Sequence, residues 1–540
     1  MPNRLSSNQL FTVAAAILLL FSILSVSFAQ EKDGADSTTA VGAVLPLIIG
    51  DGKGQPPVSP TPTVSPTVSP TPIANAAPQI VSGEPAFTKQ VIDDTVGDAH
   101  SVVAADFDQD GDMDVAATDY IDGAVLWYQN DGQGGFVNKV LDGDLEGAYP
   151  SHVADVDLDG RMDVLAGGYL SHTFAWYHND GGGAFTRYDI DTAAMGAHSI
   201  VTSDMDEDGD IDFVTATQDE YSTIAWYEND GAQNFTIHPL FVEERWARVR
   251  AKRADVTDMD GDGDLDIVAA SYGTNEISWF ENDGEQDFTR HVINTNTKGA
   301  YFVSMGDIDG DTDIDIFTAS KVDNTIAWLR NDNAGGFTRQ IIDAEAKGAR
   351  TALAADVDGD GDLDMLAASV DDDTIAWHDN DGLGNFTMKI IDQKVDGPYG
   401  LFAIDFDYDG DLDLLSASRN AAEVALHTQV QAHETQVEQG STLLIDETQL
   451  LAQDTDNGPA ELTYTITFAP QEGQLQLNNA PLTSGSTFTQ ADVNNGRVLY
   501  QHAGQSLAPD FFAFTLSDGG ANGVQPAEGF FNFNIISLLN

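Results

Sequence analysis

Asp106, Asp108, Asp110 and Asp114 place four carboxylates within nine residues. Held in one short turn, such groups repel strongly unless a cation sits among them. Ca²⁺ suits this loop, because it takes six to eight oxygen ligands, backbone carbonyls and water included. Gly111 permits the sharp turn, and the carbonyl of Asp112 can serve as a further ligand. The same carboxylates recur as Asp155, Asp157, Asp159, Asp163 and as Asp204, Asp206, Asp208, Asp212. They return as Asp258, Asp260, Asp262, Asp266 and as Asp307, Asp309, Asp311, Asp315. The last two sets are Asp356, Asp358, Asp360, Asp364 and Asp405, Asp407, Asp409, Asp413. The carbonyl position in these six copies falls on Arg161, Asp210, Asp264, Asp313, Asp362 and Asp411. Calcium, up to seven ions, is the cofactor this pattern predicts.

A helix-loop-helix calcium site begins in the same way but needs a bidentate Glu at loop position twelve. That position holds Ala117, Ala166, Thr215, Ala269, Thr318, Ala367 and Ser416, none of which can supply it. The flank Asp-Val-Ala-Ala-Thr (114–118) also reads as a short strand rather than an amphipathic helix. Acidic turns without metal are the bland alternative, since Asp and Gly favour turns anyway. Seven copies that keep all four carboxylates weigh against it. The fifth copy departs most, with Thr312 in place of the turn glycine.

Elements of a fixed kind must position these loops, because successive copies start 49, 49, 54, 49, 49 and 49 residues apart. A period of that size marks a propeller or solenoid in which each copy is one supersecondary unit. An alternating apolar segment such as His-Ser-Val-Val-Ala-Ala (100–105) leads into the loop, and a short strand leaves it. Ala-Val-Leu-Trp-Tyr-Gln (124–129) follows, then a glycine-rich turn, then Phe-Val-Asn-Lys-Val-Leu (136–141). Four short strands per unit predict a propeller blade.

On these loops and strands the sequence resembles the FG-GAP and VCBS repeat family, which includes the integrin α-subunit propeller. The resemblance covers residues 84–429. It implies an all-β fold, a seven-bladed β-propeller whose metal loops join the innermost strand of each blade to the second. Strands begin at Phe87, Phe136, Phe185, Phe235, Phe288, Phe337 and Phe386, the first of them ahead of the first inner strand. Residues 87–92 are therefore expected to close the ring as the outer strand of blade seven. The tryptophans at 127, 176, 226, 279, 328 and 377 share one repeat position, with Leu426 in the seventh copy. They are read as wedges between blades rather than as a functional row.

Composition limits the partners. With 23 Lys and Arg against 88 Asp and Glu, the formal charge is −65, which excludes ordinary nucleic-acid binding. Without metal, self-repulsion should loosen the propeller, so folding and metal binding are expected to be coupled. Residues 1–29 read as a secretory signal, with Arg4, an apolar stretch over 10–26 and cleavage after Ala29. The alternative is an uncleaved anchor. There is no Cys, so metal rather than disulfide is the expected staple outside the cell. Residues 30–82 are expected to be an unstructured linker, with the Pro/Ser/Thr run 57–72 as an extended spacer.

Beyond residue 430 the repeat stops. Leu-Thr-Tyr-Thr-Ile-Thr-Phe (462–468) and Phe-Phe-Ala-Phe-Thr-Leu (511–516) alternate like strands, and 487–502 resembles the cadherin-like repeats of large secreted bacterial proteins. That resemblance, over 433–540, implies a β-sandwich used as a spacer or adhesive module. Asp454, Asp456 and Asp510 are its acidic positions, with calcium there left open.

Six residues before each loop stand His100, Tyr149, His198, Lys252, Tyr301, Arg350 and Tyr399. In a propeller these begin the inner strands and ring the channel mouth, opposite the metal loops. The long repeat adds 243–253, with Arg245, Trp246, Arg248, Arg250 and Lys252 near the same face. A wet channel explains polar residues there. The sharper reading is an anion or glycan site, with Arg245, Arg248, Arg250, Lys252 and Arg350 as cations and Trp246 and Tyr399 as stacking surfaces. The first expectation for function is a secreted calcium-binding adhesion protein whose partner is a glycan or a cell-surface protein. The second is a polysaccharide lyase acting on acidic glycans, with His100, His198, Tyr149 and Tyr301 as candidate acid–base groups. No local catalytic motif accompanies it.

Overall fold

A computed structural model describes residues 79–80, 84–218, 223–242, 249–284, 287–332, 336–409, 411–453, 457–504, 506–518 and 527–537. The expected signal, the spacer and the loop carrying Arg245, Trp246 and Arg248 lie outside the described residues, as do Asp454 and Asp456.

Each of the first six repeats folds into one antiparallel four-stranded sheet. In blade one the order is Ala99–Ala105, Asp114–Asp119, Ala124–Asn130, Phe136–Asp142, from the innermost strand outward. The inner strand is buried on both faces because it is flanked on both sides by neighbouring blades, and the outer strand is half-buried to exposed along its length. Trp127 and Tyr128 come from the third strand and are almost fully buried. Trp127 packs with Val164, Ala166 and Tyr177 of the next blade, and Trp176 with Ile200 and Phe213 of the one after. The tryptophan row is thus a set of inter-blade wedges.

Blade seven is assembled from both ends of the propeller. Pro398–Ile404, Asp413–Ser418 and the start of Glu423–Glu438 supply three strands, and Glu84–Asp93 pairs with the last of them as the fourth. The inner strands of blades seven and one meet closely at Gly400. A Cβ there would lie 2.7 Å from the carbonyl oxygen of His100, so only glycine lets the ring close.

The C-terminal region packs two sheets around one core. Thr442–Ile445, Val498–His502, Gly473–Leu477 and Ala480–Pro481 form one sheet. The other contains Ala527–Ile536, Asp510–Ser517, Thr463–Phe468 and Thr487–Thr489. Tyr464, Phe488, Tyr500, Phe512, Phe514, Phe531 and Phe533 fill the space between them. One short helix, Gln490–Asn494, is capped by Thr489.

Two pairings cross the division expected near residue 431. Glu423–Glu438 is a single 16-residue strand, pairing with the propeller first and then in parallel with Ala527–Ile536. Gln79–Ile80 pairs with Ala452–Gln453 of the sandwich, so the linker expected over 30–82 ends before Gln79. That strand is too short to show any alternation in sequence, and its partner lies more than 370 residues away.

Candidate functional site: acidic loops at one end, a basic cavity at the other

The inner strands carry chemistry at both ends. At their C-terminal ends the turns wind as the sequence requires: Asp110 and Gly111 donate backbone N–H bonds to Asp106, and Asp112 donates to Asp110. Gly111 sits at φ 102, a conformation only glycine adopts without strain. Thr312 is held at φ 75 at the matching place in the fifth loop.

This winding brings the carboxylates of loop positions one, three and five together. One oxygen from each of Asp106, Asp108 and Asp110 lies within 4.8 Å of the others, and Asp204–Asp206–Asp208, Asp258–Asp260–Asp262 and Asp307–Asp309–Asp311 repeat the arrangement. In five loops a buried oxygen has no hydrogen-bond partner: Oδ1 of Asp108, Asp157, Asp204, Asp309 and Asp358. Orphaned acceptors among converging carboxylates fit a hard cation.

The ninth-position aspartate lies outside these triplets. Asp364 is buried and its two oxygens accept backbone N–H bonds from Val357 at 3.0 Å and Asn380 at 2.7 Å. Asp163 and Asp212 do the same and also accept the indole N–H of Trp176 and Trp226, at 2.8 and 3.0 Å. Each ties its loop to the end of the third strand. Burial pushes Asp114, Asp212, Asp315 and Asp364 up to about 7, and Asp266 to about 8.

The loops differ in what faces them from the third strand. Blades three, four and six place Glu228, Glu281 and Asp379 there. Blade five instead places Arg330, 2.7 Å from Asp309 and 3.0 Å from Asp311. In blade two His178 lies 3.0 Å from Asp157, and Arg161 pairs with Asp159. Two loops therefore hold a basic side chain where three others hold one more acid.

At the other end of the same strands is a cavity of about 310 Å³, lined by all seven ring residues: His100, Tyr149, His198, Lys252, Tyr301, Arg350 and Tyr399. The hydroxyls of Tyr149, Tyr301 and Tyr399 meet at its floor, 2.7 to 2.9 Å apart. His100 stacks on Tyr399 at 4.4 Å, and the Arg350 guanidinium lies over the rings of Tyr301 and Tyr399 at 4.1 and 4.2 Å. Lys252 Nζ is 2.9 Å from His198 Nε2, and Tyr301 Oη is 3.2 Å from the same nitrogen. Burial keeps His198 well below the usual histidine range, aided by Lys252, and lowers His100 also. Burial likewise holds the phenols of Tyr149 and Tyr301 well above theirs.

A second ring, overlooked in the sequence, forms the wall. Tyr120, Tyr169, Gln218, Tyr272, Lys321 and Arg419 each follow the second strand of a blade. They recur fourteen residues after the first loop aspartate, so the counting that located the first ring locates this one. Arg250 joins them, while Arg245, Trp246 and Arg248 lie outside the described residues. In the sandwich, Asp510 is committed to structure, accepting from the backbone N–H of Gln471 and Glu472 and from the Tyr500 hydroxyl.

Fold and loops define a repeat protein, an all-β propeller with a β domain attached. A family model described as FG-GAP-like repeat matches residues 106–166, 155–215, 258–318, 307–367 and 356–416, and a cadherin-like model matches 428–535. The chain is therefore an FG-GAP-like repeat protein carrying a cadherin-like domain. It is similar to the human extracellular matrix organizing protein FRAS1, 43% identical over 84 residues, or 15% of this chain and 2% of that protein. Human chondroitin sulfate proteoglycan 4 is 38% identical over 82 residues, 15% of this chain and 4% of that protein. The chain thus spans only a few per cent of these relatives' length. A streptogramin B lyase structure aligns with 64% of this chain and 98% of its own, at 15% identity and a TM-score of 0.46, a likeness that carries no argument.

Proposed function

We propose that this chain is a secreted adhesion or recognition protein of the extracellular matrix, with calcium holding its propeller and the opposite face presented to a glycan or cell-surface protein. The observation that carries this reading is a partnerless buried carboxylate oxygen in each of five loops, on the third loop residue in four and on the first, Asp204, in the other, with two further carboxylates converging beside it in the first, third and fifth loops. Positions one, three and five, with the carbonyl of position seven, would hold the ion, and the ninth aspartate would brace the loop. Calcium supplies charge neutralisation there, offsetting the repulsion of a chain with formal charge −65. The similarity to matrix proteins supports the extracellular setting, and a signal over 1–29 would deliver the chain there.

The lyase reading has less behind it. His198, Tyr149 and Tyr301 line the cavity but are hydrogen-bonded to one another or to Lys252 rather than set apart as an acid–base pair.

The test is calcium titration of the metal-free protein by calorimetry, alongside adhesion to matrix-coated surfaces. Several ions bound per chain and calcium-dependent adhesion are expected. Absence of calcium uptake would sink the scaffold reading, and calcium uptake with no adhesion to any matrix would sink the functional one.

A further inference from the structure

The charge of the cavity runs against the rest of the chain. Arg250, Lys252, Lys321, Arg350 and Arg419 all line it, five of only 23 basic residues in a chain with 88 acidic ones. Among the described residues, acids set against Lys321, Arg350 and Arg419 are these. Asp98 lies 3.2 Å from Arg419 and 3.0 Å from His100, the latter without hydrogen-bond alignment, and Asp371 exerts a weaker pull on Lys321 and Arg350. His100 and His198 are kept neutral, so they claim no counter-ion.

Arg350 is the most telling of the five. It is only 6% exposed, its Nε has no hydrogen-bond partner, and among the described residues no carboxylate comes within 4.0 Å of it. Its known neighbours are two tyrosine rings and the Tyr399 hydroxyl. A buried guanidinium without a paired anion is costly, and its planar fork matches a carboxylate. Lys321, half-buried on the wall, has no ion pair within 4.0 Å among the described residues. Burial, then Arg350 and Arg419, hold its amine below the usual lysine range. An anion between these cations would relieve both.

The remaining lining indicates what carries that anion. Tyr120, Tyr169 and Tyr272 line the wall, Tyr120 with one face stacked on His100, and tyrosine hydroxyls and the Gln218 amide supply hydrogen-bonding groups. Aromatic faces, hydroxyl partners and cations together suit an acidic sugar. The volume, about 310 Å³, is at the small end of ligand pockets, and the meeting of Tyr149, Tyr301 and Tyr399 makes the floor a dead end. A space of that size takes about one sugar residue, and a chain end enters it with the least of the polymer to accommodate.

We propose that this cavity binds the terminal uronate residue of an acidic glycan, its carboxylate set between Arg350, Lys321 and Arg419 and its ring against the wall tyrosines. The proposal deepens the adhesion reading by naming the ligand class of the face opposite the calcium loops.

The test uses the full calcium-loaded chain and calorimetric titration with three probes: tetragalacturonate, the neutral galactose tetramer, and hexaglutamate. Tetragalacturonate is expected to bind at one per chain, and at least tenfold more tightly than either other probe. Lys321→Met and Arg419→Gln, wall residues whose loss should spare the fold, should each weaken it about tenfold with unchanged circular dichroism. Tetragalacturonate methyl-esterified only at internal carboxylates should bind as tightly as the free form. Equal binding of the neutral tetramer, tighter binding of hexaglutamate, insensitivity to both substitutions, or loss on internal esterification alone would each overturn the proposal. Matrix adhesion that persists in Lys321→Met would leave the adhesion reading standing and remove this site from it. Uronate binding without matrix adhesion would do the reverse.

Discussion

The two ends of the seven inner strands carry opposite charge across a span of only about seven residues. At one end the repeat is kept almost rigidly, with the same four aspartates in every blade, the fourth always buried and the first three shown converging in four of them. At the other, no two neighbouring blades present the same residue: His, Tyr, His, Lys, Tyr, Arg and Tyr follow in order. Repetition suits a structural duty that every blade must perform for itself. Variation suits a single shared cavity, where seven different side chains converge on one axis and each meets the others. On the proposed reading, departures from the repeat gather at the ligand face and the kept repeat serves the scaffold.

The largest expected effect breaks the acidic end alone. Chelation should lower the propeller's melting transition steeply, because several sites each contribute on the order of 4 kcal/mol when calcium is a thousandfold above its Kd. The sandwich, whose core of Phe and Tyr rings includes no loop triplet, should melt nearly unchanged. Two-transition calorimetry with and without chelator checks this, and coincident shifts of both would erase the contrast.

Next in size is a pH effect in the metal-free protein. Burial holds the folded carboxyls of Asp114, Asp212, Asp315 and Asp364 up at about 7 and that of Asp266 at about 8, against about 4 unfolded, so between these values the folded state binds more protons. Stability should therefore be greatest towards the low end of that window and fall as pH rises, by about 1.4 kcal/mol per pH unit for each group still protonated in the fold. Buried His152, His427 and His433, held near 4, act in the opposite sense, but only below about 6.5. Denaturant melts between pH 6.5 and 8 are thus free of them. A metal-free stability that rises across this interval would contradict the burial of these carboxylates.

Single substitutions sharpen the division of labour within the loop. Asp364→Ala should cost about 2–4 kcal/mol even without calcium, since two buried N–H groups lose their acceptor. Asp358→Asn, by contrast, should remove calcium affinity at blade six and leave metal-free stability unchanged or higher. Equal destabilisation by the two in chelator would show that the ninth position is not distinct.

Smaller effects test the unequal loops. Thr312→Gly should stabilise by on the order of 1 kcal/mol, because a β-branched residue at φ 75 is strained. Arg330→Gln should leave stability in chelator almost unchanged, the guanidinium being half exposed, yet tighten calcium binding at blade five by freeing Asp309 and Asp311. Calcium titrations of the two variants read both changes, and an unaltered isotherm for Arg330→Gln would make its contacts incidental.

Much of this architecture was legible because repetition amplifies weak signals. A single Asp-rich turn says little, but seven at a near-constant step specify blade count, loop placement and the strand that precedes each loop. The same counting reached His100, Lys252 and Arg350, yet passed over Lys321, Arg419 and the wall tyrosines, which sit at an equally regular offset beyond the second strand. It also offered Tyr149, Tyr301 and Tyr399 as an open ring, whereas their hydroxyls meet one another and close the floor.

From sequence alone come the period, the loop chemistry, the alternation of short strands, the closing role of residues 87–92 and the sign of the overall charge. All are local or periodic properties that one strand of text records. Only the tertiary structure decided which residues meet across the axis, that the ninth aspartate is occupied by backbone N–H groups, and that Arg330 rather than another acid faces the fifth loop. It alone joined Glu423–Glu438 to both domains and Gln79–Ile80 to the sandwich. These contacts link residues from seven to more than 370 positions apart, and no periodic pattern encodes which side chains meet across the turns and blades between them.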